Sequence, residues 1–227
     1  MIEDPPLITF RRPSRRPTPD ELARLEGTPT GFVVDALGGR GALDARIKPV
    51  VPGQAAFCGV ALPCQAGPSD NLAVFASLQF LEPGDVIVAA ADGHLASSIT
   101  GDLLLGMARN LGARAFVTDG AVRDVAGIEA VGLPCFAAGV TPNSPARNGP
   151  GLVGLPAVIG GVAVAAGDIV VGDADGVVVV PYERIGEVIE RLAAVRRAEA
   201  DLDSKVKAGL GLPDFVARTL EGRMREV

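Results

Sequence analysis

Between residues 55 and 118, apolar β-rich runs alternate with segments of helical spacing, and this alternation constrains the fold more than any other feature. Residues 55–62 and 86–91 are bounded by Pro and Gly and read as strands, and 113–118 reads as a third. Residues 70–81 and 101–111 carry apolar positions at helical spacing between them. A β-α-β order of this kind calls for an α/β domain. The second half changes character. Residues 157–159, 162–164, 169–171 and 177–180 are short β-branched runs. Turns rich in Gly and Asp separate them, which predicts a hairpin-rich sheet. Pro181 ends that sheet, and a long amphipathic helix is expected over about 183–208, with a last helix over 212–220.

The N-terminal part is punctuated clearly. Thr18-Pro-Asp-Glu reads as a helix start, with a Thr cap, Pro at the first position and acids in the first turn. Gly27 stops that helix, and residues 30–37 form a second short one. Residues 1–19 are rich in Pro and Arg and are expected to wrap the surface as a leader. Residues 20–227 then form a single domain of two sheets with covering helices.

Composition excludes several chemistries. The 227 residues include one His, three Cys and three Lys (Lys48, Lys205 and Lys207). A His-rich metal site cannot form in one chain, and no lysine sits in an apolar strand where a Schiff base would be favoured. Cys58, Cys64 and Cys135 match neither a zinc pattern nor a disulfide framework and read as buried reduced thiols of a cytoplasmic protein. The net charge is −6, and no basic stripe suits a nucleic acid. Arg11, Arg12, Arg15 and Arg16 form one basic cluster, which reads as a solvated arm. No apolar stretch reaches the roughly 20 residues of a membrane span. Residues 1–10 do not read as a secretory signal.

Two segments could carry chemistry. Gly101-Asp-Leu-Leu-Leu-Gly106 reads as a helix N-terminus, where the amides of Leu103 and Leu104 and the helix dipole would favour an anion. The simpler reading is that Asp102 complements the dipole. Thr118-Asp-Gly-Ala-Val-Arg-Asp124 follows a strand, at the end where open α/β sheets place ligands. Here a surface salt bridge between Arg123 and Asp124 is the simpler reading. Twenty residues separate Asp102 from Arg123, enough for a helix, a turn and a returning strand. That geometry brings Asp102 near Asp124. Carboxylates with waters suit Mg²⁺ or Mn²⁺, and amides with an arginine suit a carboxylate and a developing oxyanion.

Asp102, then Arg123-Asp124, preceded by Pro83-Gly-Asp-Val-Ile-Val and followed by Gly167-Asp-Ile-Val-Val-Gly-Asp-Ala-Asp-Gly-Val-Val-Val-Val-Pro181, resembles a known family. It is that of the 4-hydroxy-4-methyl-2-oxoglutarate / 4-carboxy-4-hydroxy-2-oxoadipate aldolases, in the superfamily that includes the regulator of ribonuclease activity A. The resemblance covers residues 30–211. It implies a compact β/β/α, swivelling-domain-like α/β fold with a long C-terminal helix. It implies trimers or hexamers, with the site at a subunit interface. It also implies a class II pyruvate aldolase acting on a small 2-oxo acid through a metal-bound enolate, with oxaloacetate decarboxylation beside it. By position, Asp124 would bind Mg²⁺ (or Mn²⁺), and Asp102 would hold it through water. Gly101, Asp102, Leu103 and Leu104 would hold the pyruvyl carboxylate, and Arg123 would face the enolate oxygen. Glu199, in Ala198-Glu-Ala-Asp-Leu-Asp, would be the acid supplied by a neighbouring subunit, with Asp201 and Asp203 within one turn of it. The alternative is a non-catalytic regulator that binds a ribonuclease or another protein.

Other residues are read more plainly. His94 and Asp92 take loop or interface roles. Asp168, Asp173 and Asp175 match hairpin turns better than a metal cluster. Asp70-Asn71 reads as a helix cap. Asn143, Arg147 and Asn148 lie in a Pro-rich loop placed to border the site.

Overall fold

The computed structural model describes residues 6–226. The chain enters through β1 (Ile8–Phe10), α1 (Pro19–Leu25), α2 (Thr30–Ala36) and β2 (Lys48–Pro49). The nine-residue β3 (Phe57–Gln65) opens a parallel core, and α3 (Leu72–Ser77) crosses to β4 (Asp85–Ala90). Then β5 (Ser98–Thr100) and α4 (Asp102–Asn110) lead to β6 (Ala115–Thr118). In the same way β7 (Ala121–Val122) and α5 (Val125–Val131) lead to β8 (Cys135–Ala137) and β9 (Gly139–Val140). A long loop reaches β10 (Gly151–Val153). The hairpins β11 (Ala157–Ile159) with β12 (Val162–Val164) and β13 (Ile169–Asp173) with β14 (Gly176–Val180) follow. The chain closes with α6 (Ile185–Lys207) and α7 (Asp214–Leu220).

Strands β3, β4, β6 and β8 pair in parallel, each crossover carrying a helix. Alternation of side chains along a strand assigns each residue to one of two cores. In β4, Ile87 and Ala89 face α3, α4 and α5, where they meet Val74, Leu105 and Ile128. Val86, Val88 and Ala90 face the other way, against Ile159, Val164 and Val179 of the hairpins. The hairpin β13–β14 repeats the device. Val170, Val177 and Val179 point inward, while Ile169, Val171, Val178 and Val180 pack under α1, α2 and α6. The β13–β14 hairpin is not a separate sheet: β13 pairs antiparallel with β3, so the hairpin continues the nine-stranded main sheet, with one helix layer over the parallel strands and a second over the hairpin. This is the mixed α/β architecture expected from the sequence. Each fully buried Leu, Ile or Val contributes about 1.5–3 kcal/mol.

The first helix starts as its sequence dictates. The Glu21 amide donates to Thr18 Oγ1 at 3.3 Å and the Thr18 amide donates to Glu21 Oε2 at 2.7 Å, a closed capping box. Asp168 and Asp173 serve turns, as expected. Asp168 accepts from the Ala165 amide in its turn at 2.8 Å and from the Tyr182 amide at 2.9 Å. Asp173 accepts from the Asp175 amide across its hairpin turn at 2.9 Å and also holds the amide and hydroxyl of Thr30 at the start of α2, both at 2.8 Å. All three cysteines are free and buried. Burial pushes each thiol up to about 12, which leaves no thiolate for nucleophilic work. No helix among the described residues is long and apolar enough to cross a membrane.

The expected solvated arm is corrected by the structure. Ile8–Phe10 pairs in parallel with Gly151–Val153 and extends the main sheet. Arg12 lies over the Phe80 ring, and Arg15 pairs with Glu183 and stacks on Tyr182. Arg16 reaches Asp85 at 2.6 Å and the Pro83 carbonyl at 2.8 Å. Partners distant in sequence supply these contacts, so local composition did not show them. Burial raises the Asp85 carboxyl above its ordinary value, opposed by the Glu82 amide and by Arg16. Arg16→Ala would leave that buried carboxylate without its cation. A broken buried pair costs about 3–5 kcal/mol, and the one-third exposure of Arg16 reduces this to about 1–2. A folded-state pKa above the unfolded one means that stability falls as pH rises through it. The deficit of the variant should therefore be full at pH 7 and shrink in acid. Urea unfolding at both pH values checks this, and a pH-independent deficit would contradict it.

Candidate active site

A second, small parallel sheet builds the site. β5, β7 and β9 leave the ends of β4, β6 and β8 and pair with one another, Ser98 with Ala121, Thr100 with Val122, and Val122 with Val140. The Arg123 amide continues the ladder by donating to the Thr100 carbonyl at 3.1 Å. The next residue after β5 is Gly101, the cap of α4, and the next after β7 is Arg123. Two helix starts therefore lie side by side at the C-terminal edge of the parallel sheet, where open α/β sheets bind ligands.

The side chains interlock there. Asp124 sits at φ 61°, ψ 46°, a left-handed conformation that costs a non-Gly residue about 1–2 kcal/mol. It occupies the cap position of α5, yet its side chain makes no capping bond. Its Oδ2 lies 3.1 Å from Arg123 Nε instead. A Cβ on Gly101 would stand 2.5 Å from the same oxygen and 3.2 Å from Arg123 Cγ, so a larger residue there would push the Asp124 carboxylate aside and crowd Arg123. Asp102 packs across Gly127 of α5, where a Cβ would stand 2.3 Å from Asp102 Oδ2. Arg123 Nη1 donates to Ser144 Oγ at 2.5 Å.

Gly101, Asp102, Leu103, Leu104, Arg123 and Asp124 all line one cleft of about 170 Å³. This is smaller than the roughly 300–1,000 Å³ of drug-sized sites and suits a small acid. The Leu103 amide differs from expectation. It donates to Asp102 Oδ1 at 2.7 Å, so one of the two amides expected to be free is engaged locally. Glu199 is exposed on α6, which packs on α1 and α2, and it does not line the cleft of its own chain. His94 is also outside the cleft, with its Nε2 2.8 Å from Ser69 Oγ, and Asp92 borders a different cavity.

Sequence reasoning missed Asn71, Phe75 and Ser98 as lining residues. Asp70 does cap locally, accepting from the Leu72 amide at 2.8 Å, but Asn71 makes no capping bond. The loop between β9 and β10 closes this side of the cleft, and of its three candidates Arg147 lines it. No local pattern marks these positions, because their place follows from how α3 and the loop meet.

Among the described residues no three His, Cys, Asp or Glu side chains converge as a metal-binding group. Mg²⁺ does not require three. It takes one or two carboxylates and keeps several waters. Asp102 and Asp124 are hard oxygen donors, and Asp124 is partly open to solvent, so the donor set fits Mg²⁺ or Mn²⁺.

Fold and cleft together define an α/β protein with an acid-and-arginine site at the ends of its parallel strands. The chain belongs to the RraA-like family (Aldolase/RraA), whose pattern matches residues 30–179. It is 36% identical over 189 residues, 83% of this chain and 88% of the other, to a Halalkalibacterium halodurans protein named "Putative 4-hydroxy-4-methyl-2-oxoglutarate aldolase". Its fold resembles that of an uncharacterized Pseudomonas syringae protein, with a TM-score of 0.74 and 27% identity, covering 86% of this chain and 96% of that one. It also resembles Streptomyces coelicolor RraAS2, described as an unusual member of the RNase ES inhibitor RraA family. There the TM-score is 0.72 and the identity 27%, covering 85% of this chain and all of the other.

The contact between Asp102 and Gly127 yields a test. In an open helix Gly→Ala would stabilise by about 1 kcal/mol. Here the added methyl meets Asp102 Cβ as well as its carboxylate, and overpacking costs about 1–3 kcal/mol. Gly127→Ala should therefore lower the melting temperature. A rise would show that the two helix starts are not in forced contact.

Proposed function

We propose that this protein is a divalent-metal-dependent pyruvate aldolase that cleaves a 4-hydroxy-2-oxo acid such as 4-hydroxy-4-methyl-2-oxoglutarate. Oxaloacetate decarboxylation is proposed at the same cleft. The observation that carries the reading is the meeting of Arg123, Asp102 and Asp124 with the start of α4 in one small cleft. The similarity to a protein named for this aldolase supports it.

In the retro-aldol step the 4-hydroxyl loses its proton and the C3–C4 bond breaks. The electron pair moves toward the C2 carbonyl oxygen, leaving the enolate of pyruvate and a carbonyl product. Protonation at C3 completes pyruvate. Loss of CO₂ from oxaloacetate gives the same enolate, so one site serves both. The start of α4 binds the pyruvyl carboxylate through the Leu104 amide and the helix dipole, the Leu103 amide being engaged by Asp102. The Arg123 guanidinium, oriented by Asp124 and Ser144, faces the oxygen on which charge develops. Asp102 orients the water that carries protons. Asp124 would hold the cation, with Asp102 reaching it through water, and the cation would supply Lewis-acid stabilisation when bound.

The site reads as shared between subunits. Leu103 is 77% exposed, and Met107 and Leu111, one and two turns on, are 46% and 44% exposed. This apolar stripe beside the cleft fits a trimer or hexamer interface, across which a neighbouring chain would supply Glu199. The kinship with an RNase ES inhibitor family favours one other reading, a regulator that binds a ribonuclease. A binding protein has no physical need for two carboxylates and an arginine gathered in a cleft.

Pyruvate release coupled to lactate dehydrogenase tests the assignment. The protein with Mg²⁺ should form pyruvate from the hydroxy acid, and EDTA should stop it. Arg123→Ala should lower kcat at least about a hundredfold, the effect of losing one oxyanion donor, while the melting temperature holds. Near-normal turnover in that variant removes Arg123 from the mechanism. No pyruvate from either substrate favours the regulator.

A further inference from the structure

The cleft contains a second arginine that the proposed reaction does not use. Arg147 lines it together with Arg123, Phe75 and Asn71. Arg123 is already engaged by Asp124 and Ser144. Arg147 lies over the Phe75 ring at 5.1 Å, and among the described residues it has no carboxylate partner. Stacking uses the face of a guanidinium and leaves its five N–H donors in the plane of the group, the geometry that receives a carboxylate edge-on.

The loop that carries Arg147 is fixed in place. Asn143 accepts from the Ser98 amide at 2.9 Å, and the Ala146 carbonyl accepts from the Asn71 amide at 3.1 Å. Buried Asp70 accepts from the Asn148 and Gly149 amides at 2.5 and 3.1 Å. The arginine is thus held on both sides along the chain, which lowers the ordering cost of binding an anion. A second, independent observation points the same way. Asn71 is 4% exposed, and its buried Oδ1 has no hydrogen-bond partner among the described residues. An orphaned buried acceptor on the wall of a cleft calls for a ligand donor, and a substrate hydroxyl supplies one.

We propose that Arg147 is the specificity-determining residue of this cleft and takes the distal carboxylate of an oxo-diacid whose 2-oxo acid end lies at Gly101 and Arg123. Asn71 accepts from a hydroxyl between the two ends. The assignment rests on the aldolase reading for the placement of the oxo-acid end. It adds the residue that reads the distal carboxylate of the proposed hydroxy-oxo acid and so sets the discrimination against analogues with an apolar tail.

Calorimetry on the full-length protein with Mg²⁺ tests it without turnover. The probes are 2-oxoglutarate and 2-oxopentanoate, which share a chain length and differ in the distal carboxylate. The unaltered protein should bind 2-oxoglutarate more tightly. Arg147→Ala should weaken 2-oxoglutarate about 10–100-fold, the effect of one charge-assisted pair, and leave 2-oxopentanoate unchanged. Phe75→Leu, which removes the stacking surface, should reduce the preference in part. A preference that survives Arg147→Ala overturns the proposal, as does equal weakening of both ligands, which would mean a collapsed loop. Equal binding of both probes by the unaltered protein also overturns the proposal, yet leaves the aldolase reading standing. Binding of neither probe, together with no pyruvate release, overturns that reading as well.

Discussion

The pairing of β5 with β7 is the constraint on which the site depends. Each is only two or three residues long, yet all of their residues are buried, Ile99 and Val122 in the core beneath the helices. Their register matters more than their length. Thr100 opposite Val122 makes Gly101 and Arg123 neighbours, and each begins the approach to a helix. A one-residue slip would turn every side chain to the other face and separate the cap of α4 from the Arg123-Asp124 pair. The main sheet fixes the register from below, because β4, β6 and β8 are themselves parallel neighbours that deliver the three short strands in order.

Local strain and missing side chains complete the arrangement. Asp124 in a left-handed conformation is unfavourable alone, and surrounding structure maintains it. The backbone bonds on either side, from the Arg123 amide to the Thr100 carbonyl and from the Ile128 amide to the Asp124 carbonyl, are that surrounding structure. Asp102 is held similarly, by the Leu103 amide on one oxygen and by the surface of Gly127 under the other. Carboxylates fixed in this way are poised toward a shared small volume. Arg123 joins the two halves and reaches the far wall at Ser144.

Much of this was legible in the sequence, for identifiable reasons. The hairpins β11–β12 and β13–β14 follow from β-branched runs and Gly/Asp turns, since turn chemistry is local. The parallel core follows from the β-α-β order. The proximity of Asp102 to Asp124 follows from chain length between a helix start and a strand end. The short strands β1, β7, β9 and β10 were not legible, because two or three residues carry no periodicity. Arg16 with Asp85, and the Asp70 bonds to the Asn148 and Gly149 amides, lie between segments far apart in the chain. No composition window could connect them.

The sequence by itself determined the strand–helix alternation of the first half, the punctuation of the helices and hairpins, and the identity of the acidic and arginine residues at the strand ends. Spacing and residue type control these, and both act over a few residues or one crossover. Only the tertiary structure decided that the leader joins the sheet, that Asp102 engages the Leu103 amide, and that Asn71, Phe75 and Arg147 form the opposite wall. Those outcomes depend on which surfaces meet after the sheet has formed. Hydrogen bonds and stacking between distant segments decide that, and neither leaves a periodic trace in the chain.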